Sequence, residues 1–231
     1  VSCIGCHGDS PHDGELMNEH VERIACQTCH IPAFSRQSPT KMEWYWDEAG
    51  QDVDPIPVDQ YGKATYDKKK GTFIWEQNVE PTLRWASGKW KRMILNENDQ
   101  YEELPVVFAD PVGEKHDGKS KIYPFKKMVG NQPADAANKT MLVPHLFGLS
   151  GGPNPYWAKY NWYLALQEGA AYAGQTFSGD YEFVDTEMYL SVNHEIAPKE
   201  QARSCNDCHN GGIDFTELGY SGDPTDRKSV V

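Results

Sequence analysis

The sequence predicts a mixed α+β fold with much irregular coil, organised around covalently attached groups rather than around a large apolar core. Three observations predict it. The pentapeptide Cys-x-x-Cys-His occurs three times, as Cys3-Ile4-Gly5-Cys6-His7, Cys26-Gln27-Thr28-Cys29-His30 and Cys205-Asn206-Asp207-Cys208-His209, and these copies hold all six cysteines. The apolar fraction, 39% of 231 residues, is low for a chain that builds its own core. Between the second and third copies, runs of β-branched and aromatic residues alternate with turn formers, and one helical stretch follows.

The pentapeptide reads as a c-type haem attachment motif. On a short helical turn, residues i and i+3 share a face. Two thiols so placed can each form a thioether to one haem vinyl group, and the histidine that follows reaches the iron from below the ring. The fold class is therefore that of a multihaem cytochrome c with three haems c. The thioether residues are Cys3, Cys6, Cys26, Cys29, Cys205 and Cys208, and the proximal ligands are His7, His30 and His209. Two other readings exist. Cys3, Cys6, Cys26 and Cys29 alone have zinc-ribbon spacing, but this leaves the third motif without a partner and the three histidines without a reason. Six cysteines also permit three disulfides, which explain neither spacing nor histidines.

Taken in order, residues 1–30 form a dihaem N-terminal segment whose two rings lie close together. A turn-rich loop, Gly8 to Gly14, leads into a short helix from Glu15 to Ile24. Residues 31–153 form a β-rich, irregular, aromatic segment without haem motifs. Strands are expected at Gly71 to Trp75, Pro81 to Trp85, Pro105 to Phe108 and Lys121 to Tyr123, with a turn over Ala86 to Lys89. The cluster Met42-Glu43-Trp44-Tyr45-Trp46 is expected as a lid over a haem face, and Lys68-Lys69-Lys70 as a solvated turn. Residues 154–231 form a helical segment with the third haem. Asn154 and Pro155 suit a helix start, Gly174 suits its stop, and Trp157, Tyr160, Leu164 and Ala171 fall at core-facing spacing between them. Tyr181 to Val184 reads as a strand, and Pro198 can open a helix carrying the third motif. Together the three segments are expected as one unit.

Five of the eight histidines lie outside the motifs: His12, His20, His116, His145 and His194. Three irons need three distal ligands. His12, His20 and His194 are the distal candidates nearest to motifs. His145, in the apolar run Val143 to Gly148, is a fourth candidate, open equally to a buried structural role. His116 sits in a polar turn and reads as solvent-facing.

The formal net charge of −12 excludes a nucleic-acid-binding face and leaves a basic redox protein or a neighbouring haem subunit as the fitting partner. No apolar run approaches the ~20 residues of a membrane span. Covalent haem is attached outside the cytoplasm, so a periplasmic or extracellular location is expected. With no signal peptide and a motif beginning at Cys3, the chain reads as a mature form or a piece of a longer polypeptide.

Several uncommon strings carry a family resemblance: Ile24 to Phe34 around the second motif, Pro39-Thr40-Lys41-Met42, Asn138-Lys139-Thr140, Val143 to Gly148, and Tyr181 to Val184 through His194 to the last motif. Across most of the chain they resemble the octahaem tetrathionate reductase family of multihaem cytochromes c. The resemblance implies an extracytoplasmic oxidoreductase that reduces tetrathionate, and also nitrite or hydroxylamine, with electrons passed along packed haems. It is to the family's C-terminal portion. The family's catalytic haem, with its lysine ligand, lies in the N-terminal portion, so no lysine here inherits that role.

Two functions follow. In the first, three bis-histidine irons have no open position and the chain moves electrons, as a module of a larger reductase or a subunit of an extracellular cytochrome filament. In the second, one iron keeps an open position and a small inorganic substrate binds there.

Overall fold

Each attachment motif closes one helical turn, because its histidine N–H bonds back to the first cysteine carbonyl. His7 N donates to Cys3 O at 2.9 Å and His209 N to Cys205 O at 2.8 Å. The computed structural model describes residues 2–93, 99–148 and 153–226. It opens with three short helices, α1 (Ile4–His7), α2 (Glu15–Arg23) and α3 (Cys26–His30). Strands follow: β1 (Thr40–Tyr45), β2 (Tyr66–Asp67), β3 (Gly71–Glu76), β4 (Thr82–Ala86), β5 (Lys89–Arg92), β6 (Val106–Val112), β7 (Lys121–Asp135) and β8 (Thr140–Met141). Helices α4 (Tyr156–Lys159) and α5 (Trp162–Ala173) precede β9 (Tyr181–Ser191), and 3-10 turns lie at Lys199–Gln201, Cys205–Asp207 and Phe215–Leu218.

The strands form one sheet in the order β2-β3-β1-β7-β9-β6-β5, with β4 and β8 also paired to β7. Its axis is the antiparallel pair β7–β9, in register from Phe125 opposite Ser191 to Asp135 opposite Tyr181. The sequence marks only Lys121 to Tyr123 as a strand, yet β7 runs on to Asp135. Pro124, Gly130 and Pro133 punctuate it and hide its length locally, while β1, β4, β8 and β9 pair along it and hold it extended. Asp135, fully buried, ends the strand by accepting from Ala137 N, Asn138 N, Ser178 N and the Ser178 hydroxyl.

Two expectations need correction. The single helix expected after Asn154 is two. Tyr160 adopts a left-handed conformation (φ 50°), and Asn161, not Asn154, caps α5 by accepting from Leu164 N at 3.1 Å. The break brings Trp162 onto Tyr156 in a 3.8 Å stack. The face of α5 that enters the core is Ala165, Leu166, Gly169 and Ala170, whereas Ala171 is exposed. The aromatic cluster of β1 is also packed on its own chain. Trp44 stacks on Trp46 at 4.7 Å and meets Phe73, and Trp46 meets Trp162 at 6.1 Å, so these rings join sheet to helix instead of forming a lid.

Gly169 fixes how α5 approaches the sheet. A Cβ there would lie 1.9 Å from Val143 O and 2.7 Å from His145 N, both main-chain atoms with little freedom to move. Gly169→Ala is expected to destabilise the fold by about 3 kcal/mol through this overlap. Denaturant unfolding of the purified protein measures it, and an unchanged midpoint would show that α5 packs more loosely.

Candidate haem sites

Main-chain carbonyls of β7 and α3 gather the three motifs at one end of the sheet. Ala25 N and the Thr28 hydroxyl both donate to Ile122 O, at 2.9 and 2.8 Å, which pins α3 to the start of β7. Lys121 Nζ donates to Val21 O at 2.6 Å and ties α2 to the same place. The chain then wraps α3: Ala197 N donates to His30 O at 2.7 Å and Arg203 N to Cys29 O at 2.9 Å, which delivers the third motif beside the second. That motif is a 3-10 turn closed by a capping box between Ser204 and Asp207. Trp85, Ile122, Phe215 and Leu218 form an apolar platform beneath it, with Cys208 and Ile24 packed against them.

The second motif lies in the middle. Burial raises the Cys26 thiol pKa and the adjacent Cys3 raises it further. Burial pushes Cys29 up to about 11, with Cys208 adding to the rise and Arg203 opposing it. One cysteine of α3 thus faces the first motif and the other faces the third. No disulfide joins any two of the six cysteines. Among the described residues no three His, Cys, Asp or Glu side chains are placed together to hold a metal ion.

The histidines of two motifs are oriented through Nδ1. His209 Nδ1 donates to Asp223 Oδ1 at 2.8 Å, and the ring stacks on Phe215 at 5.3 Å. Burial alone would raise the Asp223 carboxyl. Hydrogen bonds from Thr225, His209 and Asn210 outweigh it and hold the group well below the usual carboxylate range. A carboxylate on Nδ1 fixes the tautomer and leaves Nε2 as the basic, ligating nitrogen. His30 Nδ1 meets Ala197 O at 3.3 Å.

The distal candidates separate by position. His20, on α2, donates from Nδ1 to Leu16 O at 2.8 Å, which again leaves Nε2 open. Its ring faces that of His209 with centroids 6.4 Å apart and planes at 85°. His12 is held near α2 by reciprocal main-chain bonds with the Asn18 side chain, and its buried Nδ1 has no hydrogen-bond partner. His194 has a side chain 78% exposed. Its neighbour Asn193 accepts from the Tyr123 hydroxyl, and Tyr123 lies close to Cys3 and Cys26. His116 is exposed, as expected of its turn. His145 is elsewhere. It follows Leu142, which bonds to Pro133 O. That places it roughly 35 Å along β7 from Ile122, at about 3.3 Å per residue, beyond reach of irons held by the three motifs.

Whether these residues fit a haem is testable on the geometry. A ligating imidazole nitrogen lies about 2.0 Å from a first-row metal, so two rings on opposite sides of one iron have centres roughly 6.2 Å apart. The spacing of His20 and His209 matches. Arg203 supplies a second sign. Its side chain is 4% exposed and bonds through Nη1 to Glu80, at 2.8 Å, and Asp207 O, and through Nη2 to Pro32 O. Its buried Nε has no partner, which fits an acceptor such as a propionate carboxylate between the second and third motifs. Sequence reasoning missed Arg203 and Asp223, because each acts on residues distant in sequence or unmarked by any local pattern.

An α+β sheet fold with three Cys-x-x-Cys-His turns gathered at one end defines a multihaem c-type cytochrome, with haem c as its cofactor. The family model described as "Cytochrome c bacterial" matches residues 41–212, and the chain belongs to the bacterial cytochrome c family. It is similar to a solved structure, the octahaem cytochrome c from Shewanella oneidensis, at a TM-score of 0.90 and 41% identity over 99% of this chain. The match covers 53% of that structure, so this chain spans about half its length. A comparison with curated proteins returns no match. No helix among the described residues is long and apolar enough to cross a membrane.

Proposed function

We propose that this chain is the electron-relay portion of an extracytoplasmic reductase of the octahaem tetrathionate reductase type, carrying three haems c on irons closed by two histidines each. Reduction of tetrathionate, nitrite or hydroxylamine is assigned to the remainder of the larger protein. The observation that carries the reading is the facing pair of His20 and His209, each with Nδ1 occupied and Nε2 open. Haem c supplies one-electron chemistry at its iron when bound. The chain contributes closed coordination, which keeps substrate off the metal, and burial and fixed charge, which tune potential. The middle position of α3 favours the order first, second, third motif along the relay. His7, His30 and His209 are the proximal ligands in this reading. His20 closes the third iron, and His12 and His194 serve the other two.

Low-temperature EPR of the oxidised protein, beside its visible spectrum, tests this. Three low-spin irons without a high-spin signal are expected. A high-spin iron that shifts when nitrite is added would replace the relay with a reductase active in this chain. Absence of haem bands would return the motifs to zinc.

A further inference from the structure

We infer that the α1–α2 surface beside the first attachment motif is a docking site for a basic redox protein, through which electrons enter or leave the relay. The inference rests on the relay reading above and names the partner at one of its ends. The second motif lies in the middle, so the first motif is terminal. Its surroundings are open: neither α1 nor α2 buries a residue. Ile4, between Cys3 and Cys6, is 40% exposed, and Leu16 and Met17 on α2 are 64% and 37% exposed. Beside these apolar side chains, residues 2–22 carry five carboxylates, Asp9, Asp13, Glu15, Glu19 and Glu22, and no lysine or arginine. All five are exposed, and none pairs with a cation among the described residues.

The charges have no structural reason within α2 itself. Glu15, in the first turn, suits the helix dipole, but Glu19 and Glu22 fall toward the C-terminal end, where a carboxylate is unfavourable. Glu15 and Glu19 are four apart and Glu19 and Glu22 three apart, so like charges adjoin on one face and oppose the helix. That face borders a cleft of about 400 Å³, with Ile4 and Val21 as apolar walls and Asp9, Glu15, Glu19 and Glu22 as acidic ones. Lys121, the one cation in its lining, is held on Val21 O. Cys3, Cys6 and His7 are not among its walls, so the cleft is distinct from the attachment site. A permanent interface is depleted of charge at its core, because a buried carboxylate must be matched. A transient interface keeps carboxylates wet at its rim and uses them to steer a positive partner. The occupant is therefore a redox protein with lysine and arginine around the edge of its own cofactor, met through the exposed apolar side chains and released once an electron has passed.

The test mixes the haem-loaded, reduced chain with a strongly basic monohaem cytochrome c in its ferric form and follows the reaction by stopped flow. One electron passes from a ferrous haem of the chain to the ferric iron of the probe, and no bond forms or breaks. The second-order rate constant is expected to fall steeply as ionic strength rises from ~0.01 to ~1 M, over which the screening length shrinks from ~30 to ~3 Å. Glu15→Gln, Glu19→Gln and Glu22→Gln combined should slow the reaction at least ~10-fold at low salt and flatten its salt dependence. Leu16→Ser should slow it at every salt concentration. Glu76→Gln, Glu102→Gln and Glu103→Gln combined remove the same charge from exposed sites elsewhere and should leave the rate within ~2-fold of the parent. Equal slowing in the two triple variants would reduce the effect to net charge and overturn the inference, as would an α2 variant as fast as the parent. Loss of the salt dependence when the remainder of a longer polypeptide is attached would give the surface to that remainder, and self-association abolished by the same α2 substitutions would give it to a second copy; either overturns the inference. The low-spin signals of each variant are read beforehand, so failure of the docking site is distinct from failure of the relay reading.

Discussion

Replacing His20 by alanine is expected to turn about one iron in three from low-spin to high-spin. The argument is geometric. Helix α2 stands between the first two motifs in sequence, yet it presents His20 to His209 of the third, with ring centres 6.4 Å apart. Leu16 O and Asp223 hold the two Nδ1 atoms, which leaves Nε2 of each ring as the ligating nitrogen. In the proposed relay, alanine removes one ligand and leaves that iron five-coordinate or bound to water. His20→Met separates ligation from structure, since methionine opposite histidine keeps iron low-spin and raises its potential. EPR and spectroelectrochemistry read both variants. An unchanged low-spin spectrum in His20→Ala would mean that another residue closes the third iron and that the facing of the two rings is incidental.

The second large effect is expected at Arg203. Its guanidinium is buried between the second and third motifs, and its charge opposes the burial that raises the Cys29 and Cys208 thiols, so a positive field acts at both attachment points. A buried cation disfavours the ferric state, which carries one more positive charge than the ferrous. Removing it as Arg203→Gln should therefore lower the potentials of the two adjacent haems. At an effective dielectric near 20, a unit charge about 10 Å from an iron is worth roughly 1.7 kcal/mol, or about 70 mV for one electron. Arg203→Lys keeps the charge and should recover most of the shift while losing the fork of hydrogen bonds to Glu80, Asp207 and Pro32. A loss confined to thermal stability, with all potentials unmoved in Arg203→Gln, would reduce this residue to a structural brace.

The contrast between α1 to α3 and α5 shows what was legible locally. The attachment turns were readable because their chemistry demands fixed residues at fixed spacing, and a single i to i+4 bond builds each turn. The helix over Glu15–Arg23 carried a comparable local pattern. The face of α5 was misread because the break at Tyr160 resets the helical phase, and the stacking of Trp162 on Tyr156 that accompanies it is a tertiary contact. The aromatic cluster of β1 was misplaced for a related reason. Composition says that Trp44 and Trp46 will be covered, but only the sheet says by what.

The sequence by itself determined the class of protein, the haem c cofactor and the residue types at its attachment points, because covalent attachment is a local reaction with a local signature. It also narrowed the candidates for distal ligation to a few histidines. Which histidine faces which motif, which motif lies in the middle, and which histidine stands apart were decided by tertiary structure alone. Those are distances between segments as remote as His20 and His209, and they are set by the long β7–β9 axis, the anchoring of α3 on Ile122 O and the wrapping of the chain from Ala197 to Arg203. Each rests on pairing between backbone groups far apart in the chain, which no local run of side chains encodes.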